Sequence, residues 1–469
     1  MSFTTLGLHE ALMKAVAESG YATATEVQAA AIPPAIAGAD LMVSARTGSG
    51  KTAAFILPAL QRILAARGDN KRREKGVIYG PRILVLTPTR ELAMQVAKAA
   101  TMYGRHVQGL RVATVVGGVP YPAQIAALRG PLDILISTPG RLLDHLQTGK
   151  CVLENVEVLV LDEADRMLDM GFFDDIATVA KQCPAQRQTL LFSATYPEGI
   201  AKLSAAFMRQ PQQVKLLEAH ATTKIRQRFY EVREDQRLHA VSLLLDHYRP
   251  VSTLAFCNTK QQCRDLVQVL RGQGYAALEL HGDLEQRDRD QVLIRFANRS
   301  ASVLVATDIA ARGLDIAQLE AVINVDISPD TDTHTHRIGR TGRVDEAGWA
   351  FSLASLDEMG RVGQIEHAGG FTSDWHRLSE LTPASTEPLM PPMATLQILG
   401  GRKEKIRAGD VLGALTKDLG FAAAQVGKIN VNDFATYVAV ALDIAPKVLH
   451  RLQGGRIKGK LVKLRLLDD

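Results

Sequence analysis

The sequence contains little that would support a secreted, membrane-bound or disulfide-linked protein. Cysteine occurs four times in 469 residues, at scattered positions that form neither a disulfide framework nor a Cys-x-x-Cys zinc motif. No apolar run approaches the ~20 residues that a membrane-spanning helix needs, and the first residues lack the charged and apolar regions of a signal peptide. We therefore expect a cytoplasmic protein with reduced thiols, no disulfide partner and no membrane partner.

The net charge is also small over most of the chain, because basic and acidic residues nearly balance. The formal charge is +5, but residues 393–469 contain 13 Lys and Arg against seven Asp and Glu, so they carry +6 and the first 392 residues carry −1. A C-terminal unit that binds a polyanion would explain this distribution. A lysine-rich surface that serves only solubility would explain the charge equally well.

What the sequence does contain is a series of short apolar runs, each followed by a helix-like stretch. In the first ~370 residues the runs are Leu41–Ser44, Ile83–Thr87, Ile134–Ser137, Val158–Leu161, Leu254–Phe256 and Val303–Ala306. Continuous apolar runs predict strands that are buried on both faces, as in a parallel sheet. The runs fall into two groups, so we predict two α/β domains, residues 1–217 and 218–370. The polar stretch between Arg67 and Gly80 predicts a surface loop, with an RNA contact as the alternative.

A different pattern begins near residue 370. Four prolines between Leu381 and Pro392 predict an extended linker over residues 371–392. Residues 393–469 then follow the order β-α-β-β-α-β, with strands at 394–399, 426–431, 436–442 and 461–467 and helices at 409–419 and 445–452. This order predicts an RRM-like α+β domain, the βαββαβ layout of RNA-recognition modules.

One segment of the first predicted domain has the composition of a phosphate-binding loop. It follows a strand, opens a helix, and consists of Ala45, Arg46, Thr47, Gly48, Ser49, Gly50, Lys51 and Thr52. The glycines let backbone N–H groups converge on phosphate oxygens, Lys51 can neutralise the terminal phosphates of ATP, and Thr52 can hold Mg²⁺. Ala45 stands where the general pattern has glycine, so the segment alone is an incomplete match.

Acidic residues follow the buried strand Val158–Leu161. Asp162 and Glu163 come directly after it, at the carboxyl end where α/β proteins bind ligands. Asp162 could reach Mg²⁺ directly or through water, and Glu163 could orient or deprotonate an attacking water. The alternative is an acidic helix start that is stabilised by the helix dipole. The Lys-Thr loop in the same domain favours the ATP site over that alternative.

With Asp162-Glu-Ala-Asp165 recognised, residues 3–365 resemble the DEAD-box ATP-dependent RNA helicases, which consist of two RecA-like domains in tandem. The matching segments are Gly20–Gln28, Pro88–Ala93, Gly117-Gly118, Thr138–Arg141, Ser193–Thr195, Ala306–Asp315 and His336–Arg343. The resemblance implies an RNA-dependent ATPase that separates RNA strands locally.

The resemblance also implies a role for each matched residue. ATP contacts are implied for Tyr21 and Gln28 at the adenine, for Asp315 at the ribose, and for the arginine fingers Arg340 and Arg343 at the γ-phosphate. Coupling between ATP and RNA is implied for Asp165, Ser193, Thr195 and His336. RNA contacts are implied for Arg90, Gly118, Thr138, Arg141, Arg289 and Thr307.

The C-terminal domain resembles the RNA-recognition module that ends DbpA-type members of this family, in the segments Gly409–Thr416 and Leu452–Lys460. The core segment His281–Asp290 resembles the same subfamily. This implies a 23S rRNA hairpin and pre-50S particles as partners, and leaves a monomer or a weak dimer open. Gln397 stands where such modules have a stacking aromatic residue, although Tyr437 is retained. We therefore predict that RNA recognition depends on the cations Arg402, Lys403, Lys405, Arg456, Lys458 and Lys460.

Three other functions are compatible with parts of this pattern. They are a general RNA helicase of mRNA turnover or cold response, a DNA translocase, and a non-enzymatic RNA clamp. The complete set of Lys51, Asp162, Glu163, Arg340 and Arg343 disfavours a clamp, because a binding protein could lose any of them. DNA is disfavoured by the family resemblance alone.

Overall fold

A computed structural model describes residues 2–45, 49–67, 80–194, 198–215, 225–311, 314, 319–342, 348–453, 456–457 and 460–467. These residues form two compact units, the first made mostly of residues 1–219 and the second mostly of residues 220–469. Several residues with predicted roles lie outside the described part of the chain, namely Arg46, Thr47, Gly48, Thr195, Asp315, Arg343 and Lys458. The predicted loop between Arg67 and Gly80 also lies outside it.

The first unit is a parallel sheet of seven strands with helices packed on both faces. Its strands are β1 (Leu41–Ser44), β2 (Ile83–Leu86), β3 (Val112–Val115), β4 (Ile134–Ser137), β5 (Val158–Asp162), β6 (Gln188–Ser193) and β7 (Gln212–Lys215). Its helices are α1 (Glu10–Glu18), α2 (Glu26–Ile36), α3 (Lys51–Arg67), α4 (Arg90–Tyr103), α5 (Tyr121–Leu128), α6 (Pro139–Gln147), α7 (Ala164–Asp169), α8 (Phe173–Gln182) and α9 (Glu198–Phe207).

Strand β2 shows why these runs are apolar throughout. Ile83 and Val85 contribute to the core on one face of the sheet, and Leu84 and Leu86 contribute to the core on the other face. Both sets of side chains are therefore removed from water, so no alternation with polar residues is expected.

The order of the strands decides which loops lie together. The order is β3-β4-β2-β5-β6-β1-β7, and every pair is parallel. All carboxyl ends therefore meet at one edge of the sheet. The loops after β1, β5 and β6 occupy one half of that edge, and the loops after β2, β3 and β4 occupy the other half.

The second unit begins with another parallel sheet of seven strands, in the order β10-β11-β9-β12-β13-β8-β14. Its strands are β8 (Ile225–Glu231), β9 (Thr253–Phe256), β10 (Ala277–Leu280), β11 (Val303–Ala306), β12 (Ala321–Asn324), β13 (Gly348–Ala354) and β14 (Trp375–His376). Its helices are α10 (Arg237–Tyr248), α11 (Lys260–Gly272), α12 (Gln286–Ala297), α13 (Asp308–Ala311), α14 (Thr331–Ile338) and α15 (Met359–Gly369). The two sheets confirm the predicted tandem α/β architecture.

The predicted linker is attached to this sheet along much of its length. Strand β14 lies within residues 371–392 and pairs with β8. Further along, Ala384 N–H donates to the Asp246 carbonyl at 3.0 Å, Arg249 Nη1 donates to the Glu387 carbonyl at 2.9 Å, and Leu389 is buried. The linker is therefore packed on the domain rather than extended into solvent.

The C-terminal part of the second unit has the predicted RRM-like α+β fold. Four antiparallel strands lie in the order β16-β17-β15-β20, and a short hairpin β18–β19 precedes the last strand. Their bounds are β15 (Met393–Leu399), β16 (Val426–Val431), β17 (Thr436–Ala441), β18 (Arg456–Ile457), β19 (Lys460–Leu461) and β20 (Lys463–Leu466), with helices α16 (Ala408–Gly413) and α17 (Ala445–Leu452). The helix predicted at 409–419 is α16 followed by the π-helical residues Ala414–Asp418.

One face of this sheet contributes to the hydrophobic core of the C-terminal domain, and the opposite face contacts the preceding α/β domain. At the contact, Asn298 Nδ2 donates to Thr395 Oγ1 at 3.2 Å, and the Ser300 and Thr395 hydroxyl oxygens are 2.7 Å apart. Asn430 Nδ2 donates to Asn298 Oδ1 at 3.3 Å. Asn298, Ser300 and Thr395 are all buried. The face that RNA-recognition modules use for base stacking is thus partly occupied by protein.

None of the described helices combines the length and the apolar character that crossing a bilayer requires.

Thr395→Val should weaken the attachment of the C-terminal domain. The substitution preserves shape but leaves the buried Asn298 and Ser300 groups without this partner, at a cost of ~1–3 kcal/mol. We expect faster proteolytic cleavage within residues 371–392 and little change in the melting of the C-terminal domain itself. The control is Thr416→Val, since Thr416 lies on the π-helical segment and its hydroxyl donates to the Leu412 carbonyl of α16 within the same domain. Equal cleavage rates for both variants and the unaltered chain would contradict this role for Thr395.

Candidate functional site

Lys51 and Asp162 lie buried at the carboxyl edge of the first sheet. Lys51 is the first residue of α3, and Asp162 is the last residue of β5. Burial raises the pKa of Asp162 to about 7, although the charge on Lys51 acts to lower it. Among the described residues, Lys51 Nζ and Asp162 Oδ1 have no hydrogen-bond partner. A buried cation and carboxyl group with unused hydrogen-bonding capacity indicate a ligand site.

Glu163 sits on a strained turn between β5 and α7. Its backbone has φ 54° and ψ 51°, the left-handed region that non-glycine residues seldom adopt. The Glu163 carboxylate lies 3.4 Å from Arg166 Nε, and both side chains are almost fully buried. Arg166 is therefore an ion-pair partner of Glu163, and the sequence alone assigned it no role. Arg166 follows Glu163 by three positions, and this spacing predicts an ion pair at the start of a helix.

Hydrogen bonds connect the acidic segment, the loop after β6 and the start of the phosphate loop. Ala194 N–H donates to Asp165 Oδ2 at 3.0 Å, which is the connection expected between these two segments. Ala45 N–H donates to the Ser193 carbonyl at 3.1 Å. A displacement of any one of these segments would therefore be transmitted to the other two.

Gln28 is placed beside the phosphate loop. Its Nε2 donates to the Gly50 carbonyl at 3.2 Å, and its Oε1 accepts the Thr25 N–H at 3.0 Å in a capping box at the start of α2. Gly50 has φ +92°, and a Cβ atom there would lie 2.4 Å from Gln28 Nε2, so glycine is required. Tyr21, which precedes Gln28 in the same sequence segment, is 49% exposed to solvent. Its contact with adenine stays a prediction.

Other phosphate-loop residues lie around these groups. Ala45 is buried, and Ser49 and Thr52 are partly buried. Among the described residues, no three His, Cys, Asp or Glu side chains are gathered as a metal site. Mg²⁺ commonly takes one or two carboxylates and completes its shell with phosphate oxygens and water. Asp162 and Thr52 therefore fit Mg²⁺ that is carried with a nucleotide.

Predicted RNA contacts of the first unit lie on the other half of the edge. Arg90 begins α4 after β2, Gly118 follows β3 with φ 72°, and Thr138 precedes α6 after β4. Arg141 lies 3.4 Å from Asp144 and 5.7 Å from the Tyr121 ring centroid. Four residues from three separate segments are thus brought to the ends of three adjacent strands.

In the second unit, Arg337 organises the predicted site residues. It is 1% exposed, its Nε and Nη2 each donate to the Asp308 carboxylate at 2.7 Å, and its Nη1 donates to the Asp326 carbonyl at 2.7 Å. These bonds join α14 to α13, the helix that follows Thr307. The sequence analysis missed Arg337, although it lies between His336 and Arg340.

The other described residues with predicted roles in this domain lie on α12 or α14 or directly beside α13 and α14. Arg340 is buried just after α14, and His336 is partly buried on α14. Arg289 Nη2, on α12, donates to the Ala310 carbonyl on α13 at 2.7 Å. The structure therefore connects Arg289 to α13, the helix that begins directly after Thr307.

The C-terminal domain presents three of its predicted cations on one turn. Arg402, Lys403 and Lys405 are exposed. The turn is held against the loop between β16 and β17, because Arg402 N–H donates to the Asn432 carbonyl at 2.9 Å. Arg456 and Lys460 belong to β18 and β19, and their side chains lie outside the described structure.

Two residues of the sheet face are less accessible than the stacking residues of an RNA-recognition module. Gln397 is 3% exposed and Tyr437 is 6% exposed, and Gln397 Nε2 donates to Tyr437 Oη at 3.1 Å. Phe434, which the sequence analysis missed, is instead 70% exposed in the loop between β16 and β17. The sequence Asn-Asp-Phe-Ala at 432–435 is typical of a turn, so an exposed aromatic ring could have been predicted there.

Three families match consecutive parts of the chain. "DEAD/DEAH box helicase" matches residues 25–203, "Helicase conserved C-terminal domain" matches residues 236–345, and "DbpA RNA binding domain" matches residues 395–466. The order of these families is the order of the three sheets described above.

Individual proteins match over greater lengths. The chain is 46% identical to ATP-dependent RNA helicase DbpA of Escherichia coli (strain K12), over 99% of each chain. It is 35% identical to ATP-dependent RNA helicase DbpA of Bacillus subtilis (strain 168), over 97% of this chain and 96% of that protein. Among solved structures, S. cerevisiae Dbp5 bound to RNA and ADP BeF3 matches with a TM-score of 0.70 at 25% identity, over 81% of this chain and 96% of that chain. Since the similarity includes both α/β domains and the C-terminal domain, the chain belongs to the DbpA type of DEAD-box ATP-dependent RNA helicases.

Proposed function

We propose that the chain uses Mg²⁺ and ATP to separate RNA strands locally, and that its C-terminal domain directs it to a 23S rRNA hairpin during large ribosomal subunit assembly. The observation that carries the ATPase part is the burial of Lys51 and Asp162 at one sheet edge, where Lys51 Nζ and Asp162 Oδ1 have no hydrogen-bond partner among the described residues. The natural occupants of such a site are the phosphates and their metal ion.

Each group at this edge has a distinct chemical task. Lys51 binds the terminal phosphates, and Thr52 and Asp162 hold the Mg²⁺, which neutralises phosphate charge. Glu163, oriented by Arg166, positions the attacking water and accepts its proton. Arg340 and Arg343 then stabilise the charge that develops on the transferred phosphoryl group.

RNA is held by its backbone on the other half of the edge. Arg90 and Arg141 offer charge to phosphates, and Gly118 and Thr138 allow close contact. Arg289 and Thr307 add contacts from the second unit. Such contacts do not read bases, so this core accepts many sequences. The bond between Ala194 and Asp165 makes the RNA grip sensitive to the occupancy of the ATP site.

The RNA target is selected by the C-terminal domain. Arg402, Lys403 and Lys405 are exposed on one turn, away from the buried Gln397 and Tyr437. This arrangement favours a folded RNA with a dense phosphate backbone, as in an rRNA hairpin of a pre-50S particle. The protein would act in the cytoplasm, as a monomer or a weak dimer. The alternative is a general RNA helicase without a preferred hairpin.

Glu163→Gln should stop turnover and preserve binding. The amide keeps the shape and the buried position of the side chain but cannot accept a proton, so kcat should fall by ~10²–10⁴-fold. The Kd values for ATP and for RNA should stay within a few-fold of those of the unaltered chain. The matched control is Glu154→Gln on the exposed surface of the same unit. Normal turnover by Glu163→Gln would overturn the assigned role.

Removal of the charges of Arg402, Lys403 and Lys405 by alanine substitution should abolish the preference for the hairpin. Counterion release at three phosphates supplies affinity, so the hairpin concentration for half-maximal ATPase should rise at least ~10-fold. The kcat at saturating unstructured RNA should not change. Lys417, Lys428 and Lys447 offer a control triple, because they are exposed in the same domain and carry the same total charge. Equal behaviour of the two triples would leave the general-helicase alternative as the better account.

A further inference from the structure

Phe434 is an unusually exposed aromatic ring. Its side chain is 70% exposed, compared with 49% for Tyr21 and 40% for Trp375. It lies in the loop between β16 and β17, at one end of the sheet of the C-terminal domain. A single exposed apolar side chain needs no functional explanation by itself, so the surroundings of the ring decide its meaning.

The loop that carries Phe434 has a defined conformation. Asn432 N–H donates to the Ala435 carbonyl at 2.8 Å, and Lys403 N–H donates to the Asp433 carbonyl at 3.0 Å. The loop also fits closely against the neighbouring turn, because a Cβ atom on Gly401 would lie 2.1 Å from the Asn432 carbonyl oxygen. The backbone that presents the ring is therefore fixed before any ligand binds, which reduces the entropy cost of binding.

One cation lies against the ring, and two more lie on the same turn. Lys403 Nζ lies 5.5 Å from the centroid of the Phe434 ring, a cation–π distance. Arg402 lies on the same turn, and its Nε donates to the Val431 carbonyl at 3.1 Å. Of the nearby acids, Glu404 accepts the Gly401 N–H at 2.7 Å, and Asp433 lies 3.9 Å from Arg402. Lys405 adds a third cation to the turn, so positive charge predominates.

An aromatic face beside cations is suited to single-stranded nucleic acid. Bases stack on such rings, and the adjoining phosphates pair with the cations. The usual stacking positions on the sheet are not available for this purpose, because Gln397 and Tyr437 are buried and Thr395 contacts Asn298 and Ser300. An apolar protein partner is a poorer match, because docking on this ring would also desolvate Arg402 and Lys403.

We infer that Phe434 is a base-stacking residue of the C-terminal RNA site, and that it receives an unpaired base of the RNA whose phosphates bind Arg402 and Lys403. This inference rests on the proposed function, since it deepens RNA recognition by the same turn. The stack reads no base edge. It selects an unpaired nucleotide next to a phosphate-rich stem, which distinguishes a hairpin with unpaired bases from a continuous duplex.

The test measures RNA binding by the full chain carrying Phe434→Ala, Phe434→Leu or Phe434→Tyr. The probes are a 23S rRNA hairpin fragment with 2-aminopurine at each unpaired position in turn, the same stem as a blunt duplex, and polyadenylate. Phe434→Ala and Phe434→Leu should each raise the hairpin Kd about tenfold, and Phe434→Tyr should restore it to within about twofold. Fluorescence quenching at one unpaired position should disappear with alanine and return with tyrosine.

Two controls separate stacking from charge and from packing. Lys403→Ala should lower the slope of log Kd against log salt by about one, whereas Phe434→Ala should leave the slope unchanged. Leu412→Ala removes another exposed apolar side chain of the domain and should leave the Kd unchanged. If Phe434→Ala raises the Kd for the blunt duplex as much as it raises the Kd for the hairpin, the ring does not act by stacking on an unpaired base. That result would overturn the inference.

Failure of the inference is distinguishable from failure of the proposed target. If the unaltered chain prefers the hairpin and Phe434→Ala binds it equally well, the stacking role is wrong and the target stands. If the unaltered chain binds the hairpin no better than polyadenylate, the target is wrong. The stacking role can still be tested in that case. If Phe434→Ala has the same Kd as the unaltered chain for both RNAs, the stacking role is wrong, and if its Kd is higher, the stacking role is supported.

Discussion

The opposite charges of buried Lys51 and Asp162 are the electrostatic constraint at the carboxyl edge of the first sheet. Burial disfavours both charges, and each is partly compensated by the other, as the opposing effects on the pKa of Asp162 show. The rest of the compensation is left for a ligand, because Lys51 Nζ and Asp162 Oδ1 bond to no described residue.

The parallel sheet explains how so few residues connect two activities. Its carboxyl edge brings the nucleotide loops to one half and the predicted RNA segments to the other half, since strand order places β5 beside β2. The bonds of Asp165 to Ala194, and of Ala45 to Ser193, join loops that lie on neighbouring strands. In the second unit, Arg337 has a similar organising task between α13 and α14. Both arrangements join separate segments of a domain through hydrogen bonds.

The C-terminal domain separates attachment from recognition. Its sheet face contacts the α/β domain through Thr395, Asn298 and Ser300, and the linker is held by further bonds to α10 and the loop after it. The exposed turn that contains Arg402, Lys403 and Lys405 takes no part in this attachment. A domain held in this way would carry its bound RNA along with the α/β domain to which it is attached.

The amino-acid sequence by itself determined the elements and the chemistry of the first site. Apolar runs such as Ile83–Leu86 predicted buried strands because burial on both faces is a local, periodic property, and the βαββαβ order was readable for the same reason. Other features depended on tertiary structure alone. Thr395 meets Asn298 across 97 positions, and Arg337 meets Asp308 across 29, and no local pattern encodes such pairs. Phe434 is an ordinary aromatic residue in the sequence, and only the fold decided its exposure. The hydrophobic core of the domain forms without this ring, and Lys403 lies beside it.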